Sequence, residues 1–208
     1  VENHALGGTS SRTFYRKLWP DVKKGIRKGD YVIIELGHND NGPFDRGRAR
    51  ATIKGISPTD SLNVTIQETG EKETVYSFGE YMRRFIKECK ELGAHPILVS
   101  LTPRNAWDEK NPGHIARVNN TFGLWSKQIA EEQDIPFLDL NETSATKLEN
   151  FSTWKVNYHF YLDKIHTSDF GARMNAHSAV ETLQKCTHPS LKGLQDCLIN
   201  ITPSRCDA

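Results

Sequence analysis

The strongest constraint on this chain is a set of three short apolar runs, each leading into a polar loop and separated from the next by helical periodicity. They are "GDYVIIELGHND" (29–40), "AHPILVSLTP" (94–103) and "DIPFLDL" (134–140). The first is flanked by Gly and holds three β-branched residues, which predicts a strand buried on both faces. Between the first two runs, Ser77 and Glu80 frame a capping box. Phe78, Tyr81, Met82, Phe85, Ile86, Cys89 and Leu92 then line one helical face up to Gly93. Ile115, Val118, Phe122, Trp125 and Ile129 predict a second stripe, and Phe170, Met174, Val180 and Leu183 part of a third. Strands alternating with helices of this length predict an α/β fold with a parallel sheet covered on both faces.

A chain of 208 residues is most simply one domain, here 1–208, with a sizeable core. The alternation breaks at 42–76, which is Gly-, Thr- and charge-rich and includes "SLNVTIQET" (61–69). An inserted excursion, read as a hairpin, is expected there. Residues 186–208 read as an irregular tail.

With 27 basic and 26 acidic residues, the charge balance points to neither nucleic acid nor an anionic membrane as partner. No apolar run is long enough to span a bilayer. The sequence opens at Val1 without an initiator Met or a signal peptide, so a processed or truncated N-terminus is expected. Five N-x-S/T sequons, at Asn63, Asn119, Asn141, Asn150 and Asn200, favour a secreted, extracellular glycoprotein. Cys186, Cys197 and Cys206 crowd the tail, where a cross-link would tie down a fraying end. That leaves one of the three unpaired, or paired with Cys89 or with something outside the chain. Cys89, on the apolar face of its helix, reads as a buried free thiol.

In parallel α/β sheets, ligands bind beyond the carboxyl ends of the strands. The loops there begin at His38, Asn39 and Asp40, at Thr102, Pro103, Arg104 and Asn105, and at about Asn141. In "FYLDKIHTSDFGA" (160–172), Asp163 stands three positions before His166. An imidazole can accept and return a proton near neutral pH, and a carboxylate on its other nitrogen fixes the tautomer. A local turn capped by Asp163 beside a surface histidine would give the same spacing. The Asn39 carboxamide and the bare N–H of Gly8, in "ALGGTSSRT", are candidate donors to a developing oxyanion. Arg104 and Trp107 could pair with and stack on an acidic sugar, although Trp107 packing under its own loop accounts for it equally well. Ser10 and Ser11 read as caps of a helix starting near Arg12. No G-x-S-x-G elbow, phosphate loop, H-E-x-x-H or C-x-x-C occurs, and the eight histidines are scattered, so neither a metal nor a cofactor is expected.

Taken in order, "NHALGGTSSRTF", "DYVIIELGHND", "ILVSLTPRNAW" and "YLDKIHTSDFGA" resemble the fungal rhamnogalacturonan acetylesterases, a branch of the SGNH (GDSL-like) hydrolases, over essentially the whole chain. The resemblance implies a three-layer α/β/α fold with a flavodoxin-like sheet and a metal-free Ser-His-Asp esterase. Asp163 and His166 match the family's Asp and His, and Gly8 and Asn39 its second and third oxyanion donors. The tail from Cys186 to Cys206 looks like the family's terminal disulfide loop. The implied substrate is acetylated pectic rhamnogalacturonan, the implied state a monomer. The family's nucleophile lies in a G-D-S block on the first strand, and no Gly-Asp-Ser occurs in these 208 residues. The chain would then begin in the family's second strand, with a strand and helix of about thirty residues expected before Val1. As it stands, the chain is expected to be inactive. A glycan-binding protein without catalysis, or an esterase acting on acetylated xylan or lipid, are the alternatives.

Overall fold

The computed structural model describes residues 1–117 and 121–198. Two short helices, α1 (Ser11–Lys17) and α2 (Trp19–Gly25), precede β1 (Tyr31–Ile34). The antiparallel pair β2 (Ser61–Thr65) and β3 (Lys72–Tyr76) follows, then α3 (Phe78–Glu91), β4 (His95–Val99), α4 (Phe122–Glu132) and β5 (Phe137–Leu138). The chain continues through α5 (Leu140–Glu149), α6 (Thr153–Asn157), α7 (Asp169–Lys185), a 3-10 turn (Pro189–Leu191) and α8 (Lys192–Asp196).

The main sheet is parallel, in the order β1-β4-β5. Alternate residues of β4 feed different cores, as the two-residue period of a strand requires. Leu98 joins Ile34 and the apolar stripes of α3 and α4 in one core, with Trp19, Phe14 and Tyr15 from α1 and α2. Ile97 and Val99 face the other way, onto Leu138, Leu183 and Leu191. A third cluster gathers Ile115, Ala145, Leu148, Val156 and Phe160, with Trp107 and Met174 against it. Helices therefore cover both faces of the sheet. Among the described residues no helix is long and apolar enough to cross a membrane, and no group of side chains could hold a metal ion.

Arg12 ties the hairpin to the main body. It is wholly buried, yet it donates to both carboxylate oxygens of Glu73 (2.9 and 2.6 Å) and to the carbonyls of Phe44 (2.9 Å) and Ala51 (3.1 Å). Four bonds on one guanidinium compensate the desolvation of its charge.

Several expectations are corrected. β1 is not buried on both faces: among the described residues only β4 pairs with it, and Ile33 is 60% exposed. Tyr31, on the same face, is covered by the second core, which does not reach Ile33. Residues 1–6, expected to lie in a strand, are irregular and exposed. Ile115 belongs to no helix; it bridges Trp107 in an antiparallel pair, and α4 starts only at Phe122. Phe170 is 70% exposed, because α7 begins beyond the core that takes up Leu183.

At about Asn141 the structure has α5 rather than a loop, capped by Asp139, which accepts the N–H of Glu142. This overturns glycosylation at Asn141. That side chain is in a residue only 1% exposed, and its Nδ2 donates to the Leu101 carbonyl at 2.8 Å, where no sugar could attach. Asn63 and Asn150 are exposed. Asn119, Asn200, Cys206 and Val118 lie outside the described residues. Cys186 ends α7 half-buried against the second core. Cys89 is wholly buried, and burial pushes its thiol up to about 12, where it stays protonated and inert.

Candidate active site

The loop between α6 and α7 sets Asp163 and His166 in contact. His166 Nδ1 lies 2.5 Å from Asp163 Oδ2, while Asp163 Oδ1 accepts the backbone N–H groups of Ile165 (2.9 Å) and His166 (3.0 Å). Those bonds, the imidazole's first, hold the Asp163 carboxyl down at about 2. Nδ1 is thereby committed to the carboxylate and Nε2 is left to face outward. His166 is well exposed, and no hydroxyl among the described residues hydrogen-bonds it.

Local backbone chemistry explains the contact. Lys164 sits at φ +61°, a left-handed conformation that costs a lysine about 1 kcal/mol and closes the turn between the pair. The turn is pinned by the Tyr161 N–H donating to the His166 carbonyl (2.8 Å) and by a bridge between Phe160 and Thr167. Ser168 then caps α7, accepting from the Gly171 N–H, and donates its hydroxyl to the Tyr158 carbonyl. Gly171 is required here. A Cβ on it would stand 2.0 Å from the His159 carbonyl oxygen, so only glycine lets α7 start this close to the preceding strand-like segment.

The second half of the site forms at the ends of β1 and α1. Asn39 Nδ2 donates to the Thr9 carbonyl at 3.2 Å, which leaves its other hydrogen unused and brings it beside Gly8. Gly8 has φ +82°, and its N–H takes no hydrogen-bond partner among the described residues. Beneath them Asp40 is buried, accepting from the Ser11 N–H, the Ser11 hydroxyl and Thr52 Oγ1. Ser10 is the N-cap of α1, so both serines of this loop are buried in structural bonds.

Burial raises the Asp40 carboxyl to about 6 against the opposing bonds from Ser11 and Thr52 and the charge of Arg50. A carboxyl raised in the folded state favours folding most when protonated. Its contribution is full below the unfolded value near 3.8 and is lost as pH climbs through about 6. The loss amounts to about 3 kcal/mol. Thermal unfolding of the wild type and of Asp40→Asn between pH 4 and 7.5 should show it: the wild type loses this stability across the interval, and the variant lacks that slope.

His38 precedes Asn39 in the same loop. Burial, then the charges of Arg104 and His166, push its imidazole down to about 4, so it is neutral. Its Nε2 lies 3.2 Å from Thr102 Oγ1. Glu35, raised by burial, accepts the Thr102 N–H at 2.8 Å. The sequence named His38 only as the start of a loop and passed over Glu35; a strand end carrying Glu and His on either side of a glycine was the available signal. Arg104 is exposed and has no ion pair among the described residues. Trp107 is half-buried against the third cluster, with Nε1 unpartnered, so it has less open ring surface for stacking than was expected of it.

The loop before α7 offers a base braced by a carboxylate, and the loop after β1 offers, with Gly8, two candidate N–H donors. Over most of its length the chain resembles known proteins. A model of the GDSL-like lipase/acylhydrolase family matches residues 1–174. The chain is 28% identical to a rhamnogalacturonan acetylesterase of Emericella nidulans over 85% of its own length and 70% of that protein's. It is also 28% identical to the Bacillus subtilis rhamnogalacturonan acetylesterase RhgT over 67% of this chain and 49% of RhgT. A crystal structure of the Bacillus subtilis protein YxiM superposes with a TM-score of 0.69 at 24% identity, covering 89% of this chain and 45% of YxiM. The acetylxylan esterase Axe2 of Geobacillus stearothermophilus superposes at 0.52 with 22% identity, over 84% of this chain and 68% of Axe2. These two superpositions establish the shared α/β fold. The chain thus spans about half the length of RhgT and of YxiM.

Proposed function

Since the chain belongs to the GDSL-like lipase/acylhydrolase family, we propose that it supplies the base, its orienting carboxylate and the oxyanion donors of a carbohydrate esterase that deacetylates pectic rhamnogalacturonan. The observation that carries this reading is the Asp163–His166 contact, with Nε2 outward and Nδ1 committed to the carboxylate. The two rhamnogalacturonan acetylesterases among its relatives support the substrate.

In the reaction, a serine hydroxyl attacks the acetyl carbonyl while His166 Nε2 takes its proton. Asp163 steadies the imidazolium, and the Gly8 N–H and the spare Asn39 hydrogen stabilise the oxyanion. His166 returns the proton to the leaving sugar hydroxyl, and water activated by the same imidazole then releases acetate. The serine belongs in a G-D-S block upstream of Val1, on a strand completing the open edge of β1 beside Ile33. In doubly wound sheets of order 2-1-3-4-5 the first strand lies beside the third. Secretion, with glycans at Asn63 and Asn150, is part of the same proposal.

A chain extended upstream through Gly-Asp-Ser should release acetate from acetylated rhamnogalacturonan, whereas residues 1–208 alone should not. Because His166 has no hydroxyl partner among the described residues, glycan binding without catalysis is the second reading. It would be favoured if the extended chain bound pectin and released nothing. Faster release from acetylated xylan or lipid esters would overturn the pectic assignment.

A further inference from the structure

We propose that Trp154 of α6 and Tyr158, its C-cap, with Lys155 and the neighbouring cations, form a docking platform for an acidic, uronate-containing polysaccharide beside the catalytic dyad. This rests on the pectic reading above and adds to it a binding surface distinct from the acyl site.

Trp154 is 60% exposed and Tyr158 63%. One helical turn apart, they share a face, with ring centroids 5.9 Å apart and planes at 81°. Two adjacent open rings form a contiguous apolar patch of the kind that marks a binding surface. Their flat apolar faces suit the C–H face of a pyranose ring, and the Tyr hydroxyl and Trp N–H suit its hydroxyls.

Charge argues for an acidic polymer over a neutral one. Lys155 Nζ lies 5.9 Å from the Trp154 ring. Lys155, Lys164 and Arg104 are all exposed and have no ion pair among the described residues. Lys155 beside the rings, with Lys164 and Arg104 on segments joined to α6 through Asn105, matches a polymer that alternates apolar sugar faces with carboxylates.

The platform is continuous with the dyad. Asn105 Nδ2 donates to Asn157 Oδ1 of α6 at 2.8 Å, and the Asn105 N–H donates to the Lys164 carbonyl at 2.9 Å. One residue thus fastens the Arg104 loop both to α6 and to the turn between Asp163 and His166. A chain laid across α6 would be led toward the imidazole.

Affinity electrophoresis of the 208-residue chain in gels containing polygalacturonate, acetylated rhamnogalacturonan or neutral xylan tests this. Retardation by the two acidic polymers is expected, falling at least five-fold in Trp154→Ala and Tyr158→Ala, and weakening with salt and in Lys155→Ala. Unchanged retardation in both aromatic variants would overturn the proposal, as would equal retardation by xylan. So would a dimer on size-exclusion chromatography that Trp154→Ala dissolves, since the face would then bind a second copy. Circular dichroism confirms that the exposed-site variants fold. Acetate release by the extended, serine-bearing chain is read separately. If it persists while the platform variants bind normally, the platform fails and the esterase reading stands.

Discussion

Replacing His166 by Ala in a chain that carries the serine should lower acetate release by about 10⁶-fold, the loss typical of removing the base of a Ser-His-Asp triad. Asp163→Asn should cost less, about 10⁴-fold with the fold intact, and for a different reason. The carboxylate holds the proton on Nδ1, so that Nε2 is free to accept one. An amide can present its NH₂ to Nδ1 and turn the ring to the wrong tautomer. The distinction is readable in the two variants' behaviour. Asp163 is held at about 2 and stays ionised through the mildly acidic and neutral range, so it adds no acid limb of its own to the wild-type profile. Thermal unfolding of both variants should stay close to wild type, since the pair lies on the surface, where ion pairs contribute little. Activity that survives His166→Ala within ten-fold would remove the dyad from the mechanism.

The second large effect concerns stability. Arg12→Ala should destabilise the domain by about 3–5 kcal/mol, because it leaves the Glu73 carboxylate buried without its main partner and frees the carbonyls of Phe44 and Ala51. For a chain of this size that lowers Tm by roughly 10 °C. Arg16 also reaches Glu73 from its partly exposed side, which limits the loss somewhat. Breaking the Arg83–Glu132 pair, whose glutamate is largely open to water, should cost under about 1 kcal/mol by comparison. A double variant, Arg12→Met with Glu73→Leu, should recover part of the loss by removing both charges together. Denaturant unfolding of the set decides it; equal small costs for both pairs would show that the buried one does not hold the hairpin.

The parts of this architecture that were legible in the sequence are those where local pattern and tertiary fate coincide. The run at 95–99 is apolar and sits centrally in the sheet, with Ile97 and Leu98 wholly buried. The stripe from Phe78 to Cys89 is buried residue by residue, with Ser77 capping it and Gly93 at φ +74° ending it. Asp163 and His166 were legible because the interaction is local. What was hidden depends on distant partners. The inward face of α5 is Leu140, Asn141, Ser144, Ala145 and Leu148, where Asn141 and Ser144 interrupt the apolar stripe. Asn141 is buried only because Ser100 and Leu101, some forty positions away, bond it. Arg12 reads as a surface residue until Glu73 arrives on a hairpin. Ile33 reads as core until the edge of the sheet is known.

The jaws of the site are mounted on different castings. Gly8 and Asn39 are bolted through Ser11 and Asp40 to helices that pack on one side of β4, whereas the turn bearing the imidazole hangs from Phe160 in the third cluster. Alignment of the jaws is therefore a looser property than integrity of either casting. On heating, the grip on an acyl oxygen should slacken while both castings are still intact, so function is lost some degrees before the molecule melts.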